Sequence, residues 1–181
     1  VVFPILHGPL GEDGTIQGLL KLAGIPFVGA SVPGSDVGMD KDIMKRLLKD
    51  AGIPIGKYMT FKDYEALPSF QEVKNYLGRP LFVKPANMGS SVGVSKVSGE
   101  QEWQNAIQCA FEYDRKVVVE EFIDGREIEC AVLGNDNPRA SLPGEVIAQH
   151  DFYSYNAKYI DDSGAILVAP AELDKETVKK V

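Results

Sequence analysis

A lysine that follows a short apolar run and precedes a small polar loop is the first feature of this sequence that could perform chemistry. Lys84 comes directly after the apolar residues 81–83, and Gly89, Ser90 and Ser91 lie a few positions further on. Glycine and serine allow backbone N–H groups to approach an anion closely, and the lysine adds a point charge. The segment predicts either a phosphate-binding loop or a hairpin whose lysine is merely solvated, and taken alone it does not decide between them.

Two strands must position this loop. Residues 81–83 predict the first strand, and Pro85 stops regular pairing because proline has no backbone N–H to donate. The alternating residues 92–97 predict the second strand. The expected structure is therefore a hairpin with a cation at the mouth of its loop.

A second polar cluster follows residues 1–6, an apolar run that predicts a buried, parallel strand. His7, Glu12 and Asp13 lie in the glycine-rich loop after this run, and a predicted helix and short strand complete a βαβ unit. Ligands of such units bind at the carboxyl ends of the strands. The cluster is a candidate binding site, although the histidine could equally have a capping or packing role.

A third candidate is Lys41, in the first turn of a helix that Asp40 is expected to cap. A cation is unfavourable there because of the helix dipole, whereas the same position could share an anionic ligand with backbone N–H groups. A plain surface lysine is the alternative. Residues 30–38, before the helix, are small and turn-rich and predict a linker.

Acidic residues cluster around a bend at Asp124 and Gly125. Glu120 and Glu121 end a predicted strand at residues 116–121, and Glu127 begins a predicted return strand over residues 126–133. Acids at strand ends are usually solvated. These three could instead hydrogen-bond the edge of a purine and a ribose.

Residues 150–159 are polar and aromatic without a clear period, which is typical of an ordered functional loop. Tyr153, Lys158 and Tyr159 offer hydroxyl groups and a charge that would close over a bound anion.

The other segments predict a strand at residues 55–61, a helix at 69–77, an apolar helix after a capping box of Ser98 and Gln101, strands at 144–148 and 166–169, and a helix from Asp174.

Composition restricts the classes of partner. The 181 residues are 44% hydrophobic and 25% charged, with a net charge of −7, which argues against nucleic acid and acidic membrane surfaces. No apolar run is long enough to span a bilayer, and no signal peptide is visible. Cys109 and Cys130 form no disulfide framework, which favours a cytoplasmic location.

Five motifs, in their order and spacing, closely resemble those of bacterial D-alanine–D-alanine ligases, a family of the ATP-grasp superfamily. They are LHGPLGEDGTIQG at residues 6–18, MDK at 39–41, FVKPANMGSSVG at 82–93, VEEFIDGREIE at 119–129 and DFYSYNAKY at 151–159. The resemblance covers essentially the whole chain.

The resemblance implies a mixed α/β and α+β architecture. Residues 1–30 are expected to end an amino-terminal βαβ pre-ATP-grasp domain, residues 31–120 to form the central ATP-grasp subdomain, and residues 121–181 to begin a truncated carboxy-terminal subdomain. Because the chain starts within a predicted strand and stops within a predicted helix, we expect a fragment that lacks both ends and is inactive alone.

The implied chemistry uses ATP to convert D-alanine into D-alanyl phosphate, which the amino group of a second D-alanine attacks. The dipeptide serves peptidoglycan precursors. The implied nucleotide ligands are Lys41, Lys84, Ser90 and Ser91 for the phosphates, Glu120, Glu121 and Ile123 for the adenine edge, and Glu127 for the ribose.

Substrate contacts are implied for His7, Glu12 and Tyr153. Lys158 and Tyr159 match a mobile loop over the reacting phosphate, with Tyr159 hydrogen-bonded toward Ser90. The family's two Mg²⁺ ions are held by residues that are expected beyond residue 181, so no metal ligand is assigned within this chain. A homodimer is expected from the resemblance alone.

Two rival hypotheses remain. One is an ATP-grasp ligase that joins a different acid or amine, although Tyr159 favours dipeptide over the D-lactate ester. The other is a non-catalytic nucleotide-binding module. Folding alone would require none of the residues Lys41, Lys84, Glu127, Lys158 and Tyr159, so their joint presence argues against this hypothesis.

Overall fold

The computed structural model describes residues 1–149, 160–161 and 164–181. The chain divides into two compact units, Val1–Ile123 and Asp124–Val181. The loop predicted at residues 150–159 lies outside the described residues, and with it Tyr153, Lys158 and Tyr159. The three-part domain division expected from the resemblance remains a prediction.

The first unit is built around a four-stranded antiparallel sheet. Its strands are β1 (Tyr58–Lys62), β2 (Leu81–Pro85), β3 (Ser95–Val97) and β4 (Lys116–Glu121), in the order β1-β4-β2-β3. Its helices are α1 (Thr15–Leu22), α2 (Val32–Met39), α3 (Lys41–Asp50), α4 (Phe70–Leu77) and α5 (Glu100–Phe111). The predicted hairpin around Gly89 is therefore confirmed as β2 and β3.

Alternation along the strands separates a core face from a polar face. Leu81 and Val83 of β2 and Val117 and Val119 of β4 are fully buried in one cluster with residues of α4 and α5. The residues between them point to the opposite face, because side chains of a strand alternate with a period of two. Lys84 and Glu120 lie on that opposite face.

Capping side chains fix where three helices begin. Asp40 accepts hydrogen bonds from the backbone N–H groups of Asp42 and Ile43, and Ser69 forms a capping box with Glu72 at α4. Asp174 caps the last helix in the same way. These side chains satisfy N–H groups that have no partner within their helix, and the cap predicted at Asp40 is confirmed.

Four predictions about local structure are wrong, and the first two concern helices. The linker predicted at residues 30–38 contains α2, which Ser31 caps through the N–H of Gly34 and which carries a proline in its first turn. The capping box of Ser98 and Gln101 does not form, because Gly99 is the N-cap of α5 and has no side chain to donate or accept.

The third wrong prediction concerns residues 1–6. Only Val2 pairs, in a single parallel bridge with Phe27, while Phe3 and Ile5 are 68% and 72% exposed. The parallel direction is as predicted. The expected burial is absent because Phe27 provides the only strand-like partner among the described residues.

The second unit contains, among its described residues, an antiparallel sheet of β5 (Glu127–Glu129), β8 (Gly144–Ala148) and β9 (Ala165–Val168). A separate hairpin joins β6 (Val132–Leu133) to β7 (Arg139–Ala140), so the return strand predicted over residues 126–133 is two strands in different sheets. The helix α6 (Lys175–Lys180) ends the chain. No helix in the described part of the chain is long and apolar enough to cross a membrane.

Candidate active site

Lys41 connects α3 to the turn that follows β2. Its Nζ donates to the carbonyl oxygens of Met88 at 2.6 Å and Ala86 at 3.3 Å, and its backbone N–H donates to Ala86. Burial, together with the nearby charge of Lys84, lowers the pKa of Lys41 from 10.5 to about 8. This cation therefore lies beside the start of the polar loop rather than on the open surface.

Lys84, Glu120 and Lys45 form a half-buried charge cluster on the polar face of the sheet. The Nζ of Lys84 lies 2.5 Å from Oε2 of Glu120, and the Nζ of Lys45 lies 3.2 Å from Oε1. Burial opposes ionisation of Glu120, but the charges and hydrogen bonds of Lys84 and Lys45 outweigh it and lower its pKa. With Lys41 included, the lysines outnumber the carboxylate, so the cluster has positive charge available for an anion.

The loop between β2 and β3 has a strained backbone. Ser90 and Ser91 adopt φ angles of 54° and 60°, the left-handed region that residues with a Cβ disfavour. Such conformations cluster at ligand-binding sites, where consecutive backbone N–H groups can turn toward an anion. The arrangement is suited to phosphate.

Asp114 holds the base of this loop. Its Oδ2 accepts from the backbone N–H of Asn87 at 2.7 Å and from Nδ2 of Asn87 at 2.8 Å, while its Oδ1 accepts from the N–H of Lys116 at 3.1 Å. The sequence interpretation did not single out Asp114, Lys116 or Lys45. Only Lys45 had a usable signal, since it follows Lys41 by four residues and therefore lies on the same face of α3.

The glycine-rich loop after residue 6 reaches this same region. Glu12 Oε2 accepts from the N–H of Gly8 at 2.6 Å, and His7 Nδ1 lies 3.9 Å from Glu12 Oε1. A Cβ placed on Gly89 would lie 3.3 Å from Glu12 Oε2 and 3.3 Å from the Cα of Gly8. The loop with the candidate substrate residues thus contacts the loop with the candidate phosphate residues.

Two family models match this chain. The sequence model of the D-ala D-ala ligase C-terminus matches residues 47–181, and that of the D-ala D-ala ligase N-terminus matches residues 1–30. The chain belongs to the D-alanine–D-alanine ligase family.

Relatives at high identity are members of the same ligase family. The chain is 56% identical to D-alanine–D-alanine ligase of Oceanobacillus iheyensis and 57% identical to D-alanine–D-alanine ligase A of Salmonella typhimurium. In both comparisons the alignment covers 100% of this chain and 50% of the relative. The chain spans about half the length of the curated relatives it matches.

Solved structures give the same fold. The D-alanine–D-alanine ligase of Coxiella burnetii matches with a TM-score of 0.84 and 40% identity, over 99% of this chain and 47% of that one. The VanG D-Ala:D-Ser ligase of Enterococcus faecalis matches with a TM-score of 0.86 and 44% identity, over 99% of this chain and 52% of that one. The mixed ATP-grasp fold predicted from the motifs is confirmed.

The remaining candidates of the ligase-family motif VEEFIDGREIE occupy different surroundings. Glu121 accepts from the backbone N–H of Lys57 at 2.7 Å, so its carboxylate helps hold the chain entering β1. Ile123 is 66% exposed beside Gly56. Glu127 begins β5 in the second unit, where its side chain is exposed. Their ligand roles remain predictions.

Proposed function

We propose that the full-length protein is an ATP-dependent ligase that joins two D-alanines through a D-alanyl phosphate and supplies D-alanyl-D-alanine for peptidoglycan precursors. The observation that carries the proposal is the contact of Gly89 with Gly8 and Glu12, because it joins the candidate phosphate loop to the candidate amino-acid loop. A reaction between ATP and an amino acid requires such proximity.

ATP would be held chiefly by charge and backbone groups. Lys41 and Lys84 would neutralise its phosphates, and the loop of Ser90 and Ser91 would supply N–H donors. Glu120, Glu121 and Ile123 would meet the adenine, and Glu127 the ribose. Phosphoryl transfer depends mainly on positioning and charge neutralisation, which this set of residue types provides.

The chemistry would proceed in two steps that need no protein nucleophile. A carboxylate oxygen of the first D-alanine attacks the γ-phosphorus of ATP, ADP leaves, and the acyl phosphate forms. The amine of the second D-alanine then attacks the acyl carbon and inorganic phosphate leaves. His7, Glu12 and Tyr153 would orient substrate, while Lys158 and Tyr159, the latter toward Ser90, would exclude the water that hydrolyses acyl phosphates.

Magnesium, which the proposed reaction needs, is not assigned to residues of this chain. Within the part of the chain that the structure describes, no group of three or more His, Cys, Asp or Glu side chains could hold a metal ion. A cytoplasmic homodimer is part of the proposal and rests on the family resemblance.

A second candidate differs only in the acceptor. The 44% identity to a D-Ala:D-Ser ligase makes D-serine the alternative second substrate. Identities of 56% and 57% to D-alanine–D-alanine ligases favour D-alanine.

The deciding experiment is phosphate release by the full-length protein with ATP and D-alanine, followed by mass analysis of the product. We expect release to depend on both substrates and the product to be D-alanyl-D-alanine, with D-serine and D-lactate poor acceptors. A Lys84→Ala variant should lose nucleotide affinity without loss of fold. Normal turnover by that variant, or release without D-alanine, would contradict the proposal.

A further inference from the structure

The carboxylate of Glu120 is shared by two lysines that come from different elements. Lys84 on β2 meets Oε2 at 2.5 Å, and Lys45 on α3 meets Oε1 at 3.2 Å. The side chains of Lys45 and Glu120 are only 12% and 14% exposed, whereas that of Lys84 is 25% exposed. Lys45 is thus the more enclosed of the two partners.

The two lysines cannot have the same task under the proposed function. Lys84 is the candidate phosphate ligand, so contact with ATP competes with its bond to Glu120. A largely buried carboxylate that loses its only counter-ion is strongly destabilised, or it takes up a proton. A second cation that stays with Glu120 prevents both outcomes.

Lys45 is positioned to stay paired with Glu120 when Lys84 contacts ATP. Its Nζ also lies 5.3 Å from the centroid of the Tyr58 ring, a second contact that holds the ammonium group in this position. The helix that carries it is fixed at its start by the Asp40 cap and by the ion pair between Asp40 and Lys116.

We propose that Lys45 is the resident counter-ion of Glu120, a positioning residue that keeps this carboxylate ionised and oriented while Lys84 turns to the nucleotide. The inference rests on the proposed function, since it requires Lys84 to bind ATP. The titratable groups that face Glu120 are Lys41 and Lys45 on α3, Lys84 on β2, and Tyr58, its register partner on β1.

Proton uptake on ATP binding tests the role directly. Calorimetry of full-length protein with ATP, in two buffers of different ionisation enthalpy near pH 6, gives the protons taken up per nucleotide. In Lys45→Met, Glu120 loses its last ion-pair partner when Lys84 leaves, so we expect uptake up to one proton greater than in wild type. The affinity of the variant for ATP should fall up to about tenfold per pH unit as the pH rises.

Three variants control the experiment. Lys45→Arg keeps the charge and should behave as wild type. Lys49→Met makes the same substitution one turn further along α3, at an exposed position, and should also behave as wild type. Adding Glu120→Gln to Lys45→Met should abolish the extra proton. If Lys45→Met does not fold, Lys45→Gln removes the charge while keeping a hydrogen-bond donor and should show the same uptake.

The outcomes separate this inference from the proposed function. Equal proton uptake by wild type and the folded variants that lack the Lys45 charge would overturn it. Protein that binds ATP but makes no dipeptide contradicts the proposed function alone, because calorimetry needs neither D-alanine nor turnover. Protein that binds no ATP contradicts both.

Discussion

Gly89 packs against Glu12 so closely that a methyl group on the glycine would lie 3.3 Å from Oε2 of the carboxylate. The same Oε2 atom accepts the N–H of Gly8 at 2.6 Å, which fixes the carboxylate within its own loop. Two loops from distant parts of the sequence therefore meet where one of them has no side chain. A side chain at position 89 therefore requires atoms of Glu12 or Gly8 to give way slightly.

Under the proposed function, Gly89→Ala should weaken D-alanine binding by the full-length protein more than it weakens the fold. The added methyl requires Glu12 or Gly8 to move by a few tenths of an ångström, and small misplacements in a site are costly, so we expect the KM for D-alanine to rise on the order of tenfold. Steady-state kinetics with each substrate varied measures this. Gly38→Ala is the matched control, since no atom lies within 4 Å of the added methyl, and it should leave both KM values unchanged.

Binding of ATP should weaken above about pH 8 because of Lys41. Its pKa is lowered to about 8 by burial and by Lys84, so the free protein carries this charge fully below that pH and loses it as the pH rises. The protonated form is the one that attracts phosphate, and the dissociation constant should therefore increase up to about tenfold per pH unit. Calorimetric titrations between about pH 6.5 and 9.5 measure it.

The control for this pH dependence is Lys41→Arg, because a guanidinium stays charged throughout the range. We expect its dissociation constant to change less with pH than that of the wild type, whatever its absolute value. Parallel pH profiles would show that another group is responsible.

Lys116→Met should destabilise the first unit. The Nζ of Lys116 lies 2.5 Å from Oδ2 of Asp40 and 3.7 Å from Oδ2 of Asp42, and both carboxylates are largely buried at the start of α3. Removing the cation leaves Asp40 without its ion-pair partner, which typically costs about 3 kcal/mol of unfolding free energy, while Asp42 keeps its pair with Arg46 at 2.9 Å. Thermal and denaturant unfolding of the full-length protein measure the loss.

The adjacent position provides the control for that experiment. Arg115 pairs with Asp63 through a side chain that is 80% exposed, and surface pairs of this kind contribute little. Arg115→Met should therefore leave the melting temperature nearly unchanged. Equal losses of unfolding free energy in Lys116→Met and Arg115→Met would contradict the distinction between buried and exposed ion pairs.

Local signals in the sequence were sufficient for the hairpin and for most helix ends. Asp40 was recognisable as a cap because a capping side chain acts within three residues of itself, and the helices at residues 69–77 and from Asp174 were recognisable as helices. The apolar runs at residues 81–83 and 117–119 were likewise local signals, and they predicted strands that end near Lys84 and Glu120.

Partners across the sheet could not be predicted in this way. Lys84 and Glu120 are 36 residues apart, and Asp40 and Lys116 are 76 apart. Their contacts depend on the strand order β1-β4-β2-β3, which periodicity does not determine. The same limit explains why Lys45 and Asp114 were missed: each acquires its role only from a residue on another element.

Asp114→Ala should loosen the loop of Gly89, Ser90 and Ser91 while leaving the sheet intact. The carboxylate accepts hydrogen bonds from both nitrogens of Asn87. Hydrogen bonds to a charged acceptor each contribute about 1.5–3 kcal/mol. Without it, the turn after β2 loses its side-chain link to the start of β4 and keeps the backbone bond from the N–H of Ala86 to the carbonyl of Lys116.

Hydrogen exchange of the peptide spanning residues 86–94 detects this change, because the N–H groups of Val92 and Val94 are bonded to carbonyls of the same loop. We expect faster exchange there in Asp114→Ala and a higher KM for ATP. The matched control is Asp36→Ala, at an exposed position of α2, which should exchange as the wild type does. Unchanged exchange in Asp114→Ala would mean that the strained conformations of Ser90 and Ser91 are maintained by the loop itself, without the help of Asp114.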